Sequence, residues 1–97
     1  MFLGRFDFAG DPDALLVAYD RFMKQVPDAN ISFHICVRNG DGISLIDSCP
    51  SQEDFEGFSS SPELFGLMTD AGLPLPTVSP IGDVYVARAA STTYRAE

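Results

Sequence analysis

The sequence has no tryptophan, one histidine and two cysteines among its 97 residues. One histidine with few neighbouring ligands does not make a metal centre, and two cysteines are too few for a disulfide scaffold. No apolar run approaches the roughly 20 residues of a membrane span. We therefore expect no metal, no other cofactor and no membrane partner.

Basic residues are also scarce, since 6 Lys and Arg stand against 14 Asp and Glu, for a net charge of −8. Such a chain repels phosphate backbones and anionic lipid headgroups, so nucleic-acid and membrane-surface binding are disfavoured. The first ten residues lack a basic region and carry Asp7 inside their apolar stretch, which is unlike a signal peptide. These features lead us to expect a cytoplasmic protein.

Hydrophobic residues make up 45% of the chain and charged residues 21%, which is a globular composition. A chain of this length buries roughly 60–65% of its unfolded surface, enough for one core. We predict a single domain over residues 1–90, followed by a mobile tail over residues 91–97.

The hydrophobic pattern predicts elements in the order β-α-β-β-α-β. The predicted strands alternate apolar and polar residues, and the predicted helices repeat apolar residues at steps of three and four. Strands are predicted over residues 2–8, 30–38, 43–48 and 81–89, with helices over 12–26 and 52–71. This order predicts an α+β, ferredoxin-like sandwich, a four-stranded antiparallel sheet with both helices on one face.

Capping residues mark where the helices begin and end. Asp11 before Pro12 and Ser51 before a run of acidic residues are helix N-terminal signals. Ser61 with Pro62 divides the second helical stretch into two pieces, and Gly72 is typical of a helix C-terminus.

Asn39-Gly40-Asp41-Gly42 predicts the turn of a β-hairpin. With a three-residue loop at 40–42, Val37 faces Leu45, Cys36 faces Ile46 and His34 faces Ser48. Ile35, Val37, Ile43 and Leu45 then form one apolar surface, whereas a slip of one residue would move Ile43 and Leu45 to the polar side. In either register the two cysteines are too far apart for a disulfide, so both are expected to be free thiols.

The sheet face away from the helices is predicted to mix apolar and polar side chains. It is too apolar for a solvated surface and too polar for a dry core, as expected of a homodimer interface or a ligand cleft. Its predicted members are Leu3, Arg5, Asp7, Ser32, His34, Cys36, Arg38, Ser44, Ile46, Ser48 and Tyr85.

The stretch from Gly42 to Phe58 resembles the dimeric α/β-barrel superfamily, which includes antibiotic-biosynthesis-monooxygenase-like proteins, and in particular a branch of short uncharacterised proteins. The shared pattern is a glycine, a strand, Asp-x-Trp-x-Ser and a helix that opens with a Phe-x-x-Phe step. Ala71-Gly72-Leu73-Pro74 matches the usual end of that helix, and the resemblance covers about residues 1–90. The chain departs from the pattern at Cys49, where the family has Trp. The resemblance implies a homodimer in which two sheets pack face to face.

The candidate catalytic residues are His34, Arg5 and Asp7. Histidine is the general base suited to neutral pH, and the arginine and carboxylate could orient a polar ligand. Each has a structural alternative, an interface histidine with a satisfied hydrogen bond or an ion pair within the sheet. Cys36, Ile46 and Tyr85 are candidate ligand-binding residues, with an inert thiol as the alternative for Cys36.

The first functional hypothesis is a homodimer that binds a small molecule in a cleft at the sheet face without clear catalytic machinery. The alternative is a cofactor-independent monooxygenase-like or other small-substrate enzyme that uses His34 with Arg5 and Asp7. A haem-degrading enzyme is disfavoured by the single histidine and the missing Trp. A ligand-sensing module is a third hypothesis, although no DNA-binding segment is attached.

Overall fold

A computed structural model describes residues 1–26 and 33–95 of the chain. Its elements are strands β1 (Phe2–Ala9), β2 (His34–Asn39), β3 (Gly42–Cys49), β4 (Thr77–Asp83), β5 (Val86–Ala89) and β6 (Thr92–Arg95), with helices α1 (Pro12–Met23), α2 (Gln52–Ser59) and α3 (Pro62–Ala71).

The architecture is α+β, with a four-stranded antiparallel sheet in the order β2-β3-β1-β4. Three helices accompany this sheet, and β5 and β6 form an additional hairpin. Every neighbouring pair of strands is antiparallel, and the pairing of β1 with β4 has an irregularity between Leu3 and Gly4. The α+β prediction and the four antiparallel strands are confirmed.

All three helices begin where the capping residues predict and α3 ends at Gly72 as predicted, whereas α1 ends at Met23, three residues before the end predicted at residue 26. The side chains of Asp11, Ser51 and Ser61 each accept a hydrogen bond from a backbone N–H in the first turn, with Pro12 and Pro62 at the start of α1 and α3. Gly72 ends α3 with a φ of 98°, the left-handed conformation that glycine adopts without strain.

The core lies between the helices and one face of the sheet. Phe2, Phe6 and Phe8 alternate along β1 and point to this face, where Phe55 of α2 packs against Phe2 and Phe6. Gly4 lies between them, and a Cβ atom there would lie 1.8 Å from the Phe55 ring. The residues buried in this core are Phe2, Phe6, Phe8, Leu15, Ala18, Phe22, Ile43, Leu45, Cys49, Phe55, Leu64, Met68, Ala71 and Leu73.

The predicted register of the β2–β3 hairpin is wrong by one residue. Asn39 lies opposite Gly42, so the loop contains two residues and Cys36 faces Leu45. Ile43 and Leu45 are buried on the helix side, while Ile35 and Val37 lie on the other face and are 39% and 42% exposed. Gly42 pairs with Ala9, and a Cβ atom at this position would lie 1.9 Å from the Phe8 carbonyl oxygen, so the turn ends at a position that has no room for a side chain.

The C-terminal segment also differs from the prediction. The single strand predicted over residues 81–89 is replaced by β4 and β5, and its predicted centre near Tyr85 lies between them. Residues 92–95 form β6, paired with β5, in a region predicted to be a tail. Tyr85 is therefore outside the four-stranded sheet and 72% exposed.

Within residues 1–26 and 33–95, no helix has the length and apolar character needed to cross a membrane. The first part of the predicted strand 30–38, including Ser32, lies outside the described residues. Cys36 and Cys49 are both free, as predicted.

Candidate functional site

A chain of three polar side chains joins β2, β3 and α1 on the helix side of the sheet. His34 lies directly opposite Asp47 in the strand pairing, and its Nδ1 contacts an Asp47 carboxylate oxygen. Its Nε2 lies 2.5 Å from the hydroxyl oxygen of Tyr19 on α1. We call these residues the Tyr19–His34–Asp47 chain.

The chemistry of the partners fixes the direction of the hydrogen bond to Asp47, and the direction of the bond to Tyr19 follows for a neutral imidazole. A carboxylate can only accept a hydrogen bond, so Nδ1 of His34 carries a proton and donates a hydrogen bond to Asp47. In a neutral imidazole Nε2 is then an acceptor, and the Tyr19 hydroxyl donates to it. Asp47 is only 5% exposed, and both of its neighbours on this face, Leu45 and Cys49, are buried. The chain therefore provides a hydrogen-bond partner for a carboxylate that is buried beside the core.

Burial controls the ionisation of Tyr19 and of the nearby thiol. Desolvation, reinforced by Cys36, Asp47 and Asp20, raises the pKa of Tyr19 to about 12. Desolvation and the charge of Asp20 also raise the pKa of Cys36. Both groups stay protonated at neutral pH, which favours the inert-thiol alternative for Cys36 over a nucleophilic role.

A second contact ties the edge strand β2 to α1. The guanidinium of Arg38 lies 2.5 Å from a carboxylate oxygen of Asp13, in an ion pair that is exposed to solvent. Together with the contact between Tyr19 and His34, it links β2 to α1 at two points. The direct structural role of the Tyr19–His34–Asp47 chain is therefore to hold the edge strand against the helix.

The opposite face of the sheet, which we call the uncovered face, carries a different polar network. Nε of Arg5 donates to both carboxylate oxygens of Asp7, at 2.8 and 3.0 Å. The Ser44 hydroxyl donates to Asp7 at 2.6 Å, and the Asn39 amide donates to Ser44 at 3.0 Å. The hydrogen bond from Ser44, followed by the contribution of Arg5, lowers the pKa of Asp7 despite partial desolvation. The network thus holds an ionised carboxylate in one position.

Aliphatic side chains lie next to this network on the uncovered face. Ile46 is directly opposite Arg5 on β3, and Ile35 is directly opposite Ile46 on β2. Val37 occupies the next position on this face, opposite Ser44. The face therefore has a polar half centred on β1 and an apolar half towards β2.

The structure separates the residues that the sequence analysis grouped together. Arg5, Asp7 and Ile46 lie on the uncovered face as predicted. His34 and Cys36 were predicted there and instead lie on the helix side, so His34 does not meet Arg5 and Asp7. The physical reason is the register of the hairpin, because a shift of one residue reverses every side chain of β2 relative to β3. Tyr85 belongs to neither face, and the Arg95 guanidinium lies 5.8 Å above its ring.

Sequence reasoning missed Tyr19 and Asp47 as partners of His34. Tyr19 was assigned to the apolar face of α1, which brings it to the sheet but gives no partner for its hydroxyl. A two-residue turn at Gly40-Asp41 would have placed Asp47 opposite His34, so the signal was present in an alternative reading of the turn.

A shallow cavity of about 300 Å³ lies between the C-terminal parts of α1 and α3. Arg21 and Lys24 line it, but so does Asp70, and Nε of Arg21 donates to the Ala71 carbonyl at 3.1 Å. Two helix C-termini with their negative dipole ends meet there, so these cations serve to compensate local negative charge. We do not place the ligand site in this cavity.

The described residues contain no group of three or more His, Cys, Asp or Glu side chains arranged to hold a metal ion. No protein-family model matches the chain, and no curated protein matches it either.

Proposed function

We propose that this protein is a homodimer that binds a small molecule in a cleft at the uncovered face of its sheet. The observation that carries the proposal is the pairing, on this one face, of an ordered Arg5–Asp7–Ser44 network with exposed aliphatic side chains. A fixed polar group beside an apolar surface is the usual composition of a small-molecule site. No catalytic step is included in this proposal.

The partner proposed for this face is a second copy of the chain, whose sheet would close the cleft over the small molecule. Arg5 and Asp7 are the charged residues that the strand registers place on the uncovered face, and their charges cancel. The chain as a whole carries −8. Two copies can therefore approach through this face with less mutual repulsion than through any acidic part of the surface.

The proposed fold for this assembly is a ferredoxin-like sandwich that pairs as a dimeric α/β barrel. The strand order β2-β3-β1-β4 supports it, because β3 separates β1 from β2 and β1 separates β3 from β4. Each of the two helical connections, through α1 and through α2 with α3, then crosses one intervening strand.

The size of the face indicates how the dimer should be tested. Four strands of about seven residues span roughly 19 by 23 Å, or about 450 Å² of projected area per copy. Two copies contribute about 900 Å², near the lower limit for a specific interface of about 1,000 Å². We therefore expect a weak dimer whose mass depends on protein concentration.

Native mass spectrometry and light scattering over a hundredfold range of concentration would test the assembly. The dimer fraction should rise with concentration for the wild-type protein, and Val37→Asp on the uncovered face should abolish it. Val17→Asp is the matched control, since Val17 is 57% exposed on α1. A wild-type protein that stays monomeric throughout, or two variants that behave alike, would overturn the proposal.

A second candidate function is a cofactor-independent small-substrate enzyme, favoured by the Tyr19–His34–Asp47 chain. A carboxylate that orients a histidine, which in turn contacts a hydroxyl, is an arrangement used in acid–base catalysis. Against it, Nε2 of His34 is already occupied by the Tyr19 hydroxyl. Because His34 is the single histidine, its side-chain ¹⁵N resonances would shift if a substrate formed a hydrogen bond with its ring. Resonances that stay unchanged with a compound that is turned over would reject this role.

A further inference from the structure

We infer that the small molecule is a monocarboxylate with an apolar body, and that Arg5 binds its carboxylate. This inference rests on the proposed function, because it assigns the ligand class of the same uncovered face. It is carried by three observations, namely the free end of the Arg5 side chain, the single negative charge beside it and the aliphatic row that starts next to it.

The hydrogen bonds of Arg5 leave one end of the guanidinium available. Its Nε donates to Asp7, whereas its two terminal nitrogens have no hydrogen-bond partner in residues 1–26 and 33–95. The Arg5 side chain is 48% exposed, so a ligand can reach this end. Two parallel N–H donors on a planar guanidinium match the two oxygens of a carboxylate.

The polar network reduces the freedom that Arg5 would lose on binding. Asp7 holds Nε, and Ser44, itself held by Asn39, orients Asp7. Ordering a long side chain on binding costs about 0.5–1.5 kcal/mol, and an already positioned arginine avoids part of this cost. The network therefore positions Arg5 for a ligand in addition to stabilising the sheet.

The charge of Asp7 selects among anions. The Asp7 carboxylate is ionised at neutral pH and lies on the other side of the same guanidinium. The Arg5–Asp7 pair has no net charge, so a dianion such as phosphate gains little attraction and is repelled by Asp7. A planar monoanion that gains most of its affinity from apolar contact fits this site better.

The strand pairing supplies that apolar contact at a defined distance. Ile46 lies one strand away from Arg5 and Ile35 two strands away, in one row across the sheet. Neighbouring strands are about 4.8 Å apart, so the row begins about 5 Å from Arg5 and extends to about 10 Å. A phenyl ring or a short alkyl chain attached to the carboxylate spans this distance and would lie between the two sheets of the dimer.

The test is calorimetric titration with 3-phenylpropionate, with its neutral amide and inorganic phosphate as comparison probes. The wild-type protein should bind the carboxylate more tightly than either comparison probe. Arg5→Gln should weaken binding of the carboxylate by about 10- to 100-fold, as expected for the loss of charged hydrogen bonds worth about 1.5–3 kcal/mol. Arg5→Lys keeps the charge but loses the paired donors, so its affinity for the carboxylate should lie between those of the wild-type protein and Arg5→Gln.

Arg88→Gln is the matched control, because it removes the same charge from the exposed hairpin strand β5 and should leave affinity unchanged. Equal binding of acid and amide, tighter binding of phosphate, or full affinity in Arg5→Gln would overturn the inference, as would an absence of binding to a folded wild-type dimer. Light scattering on the same samples separates the two proposals. If the protein is a dimer but fails these binding criteria, only the proposed ligand class is wrong. If the protein is a monomer, the proposed homodimer is wrong.

Discussion

The two faces of the four-stranded sheet are built from alternate residues of the same strands, yet they differ in what covers them. On the helix side, Phe2, Phe6 and Phe8 of β1 are at most 3% exposed. On the uncovered face, Arg5 of the same strand is exposed, and Ile35 and Val37 keep 39% and 42% of their surface in contact with solvent. The covered face thus supplies stability, whereas the other face buries Ser44 and Ser48 but leaves an arginine and two aliphatic side chains in contact with solvent.

The polar groups of the two faces differ in how many of their hydrogen-bonding atoms already have a partner. On the helix side, His34 has both ring nitrogens in hydrogen bonds, and its partner Asp47 is buried. On the uncovered face, Arg5 uses one of its three nitrogens in the described structure. A side chain with unused donors at the surface can take a ligand without breaking internal bonds, which is why the proposed binding site is there rather than at the histidine.

The largest expected effect distinguishes the faces by stability. Phe6→Ala removes a ring that is 1% exposed and contacts Phe55 and Phe58, and should lower the free energy of unfolding by about 3–5 kcal/mol. Val37→Ala on the uncovered face should cost less than about 1 kcal/mol. Urea unfolding at concentrations where the protein is monomeric measures both, and similar losses would mean that the uncovered face is also part of the core.

An intermediate effect is expected where the covered face has no room for a side chain. Gly4→Ala places a methyl group within 1.8 Å of the Phe55 ring, which is itself buried, so the ring must move. We expect a loss of about 1–3 kcal/mol in the free energy of unfolding. Gly40→Ala in the hairpin turn is the control, since no atom lies within 4 Å of the new methyl group. An equally stable Gly4→Ala protein would show that the packing of α2 on β1 is looser than described.

The smallest effect concerns the polar chain of the covered face. Tyr19 has a folded-state pKa of about 12 against 10 for an unperturbed tyrosine. Its stabilising contribution is therefore fully present below pH 10 and is lost as the pH rises from about 10 to about 12. Tyrosinate absorbance should show an ionisation step near pH 12, and Tyr19→Phe should remove that step. A late step that persists in Tyr19→Phe would contradict the assignment.

Much of the local structure could be predicted from short stretches of sequence. Asp11 with Pro12, Ser61 with Pro62, and Gly72 mark helix ends because capping depends on a few adjacent residues. The alternation of Phe2, Phe6 and Phe8 with Leu3, Arg5 and Asp7 assigned the faces of β1 correctly, since side chains alternate along a strand. The candidate residues on β1, Arg5 and Asp7, were therefore placed on the right face.

The positions of His34 and Cys36 could not be predicted in the same way. β2 alternates apolar and polar residues, and either set could face the helices. Its outward-facing set turned out to be the more apolar one, Ile35 and Val37, because the polar side chains of His34 and Arg38 find partners in Tyr19, Asp47 and Asp13. Those partners lie on α1 and β3, so the pattern of β2 alone contains no information about them.

The sequence by itself determined the acidic charge, the order of the main elements and most helix ends, since these follow from composition and local spacing. The tertiary structure decided the hairpin register, the division of the last strand into β4 and β5, and the separation of His34 from Arg5 and Asp7. The physical reason is the two-residue period of a strand. One residue more or less in the Gly40-Asp41 turn exchanges the two faces, and the packing of β3 against β1 and the helices selects between them.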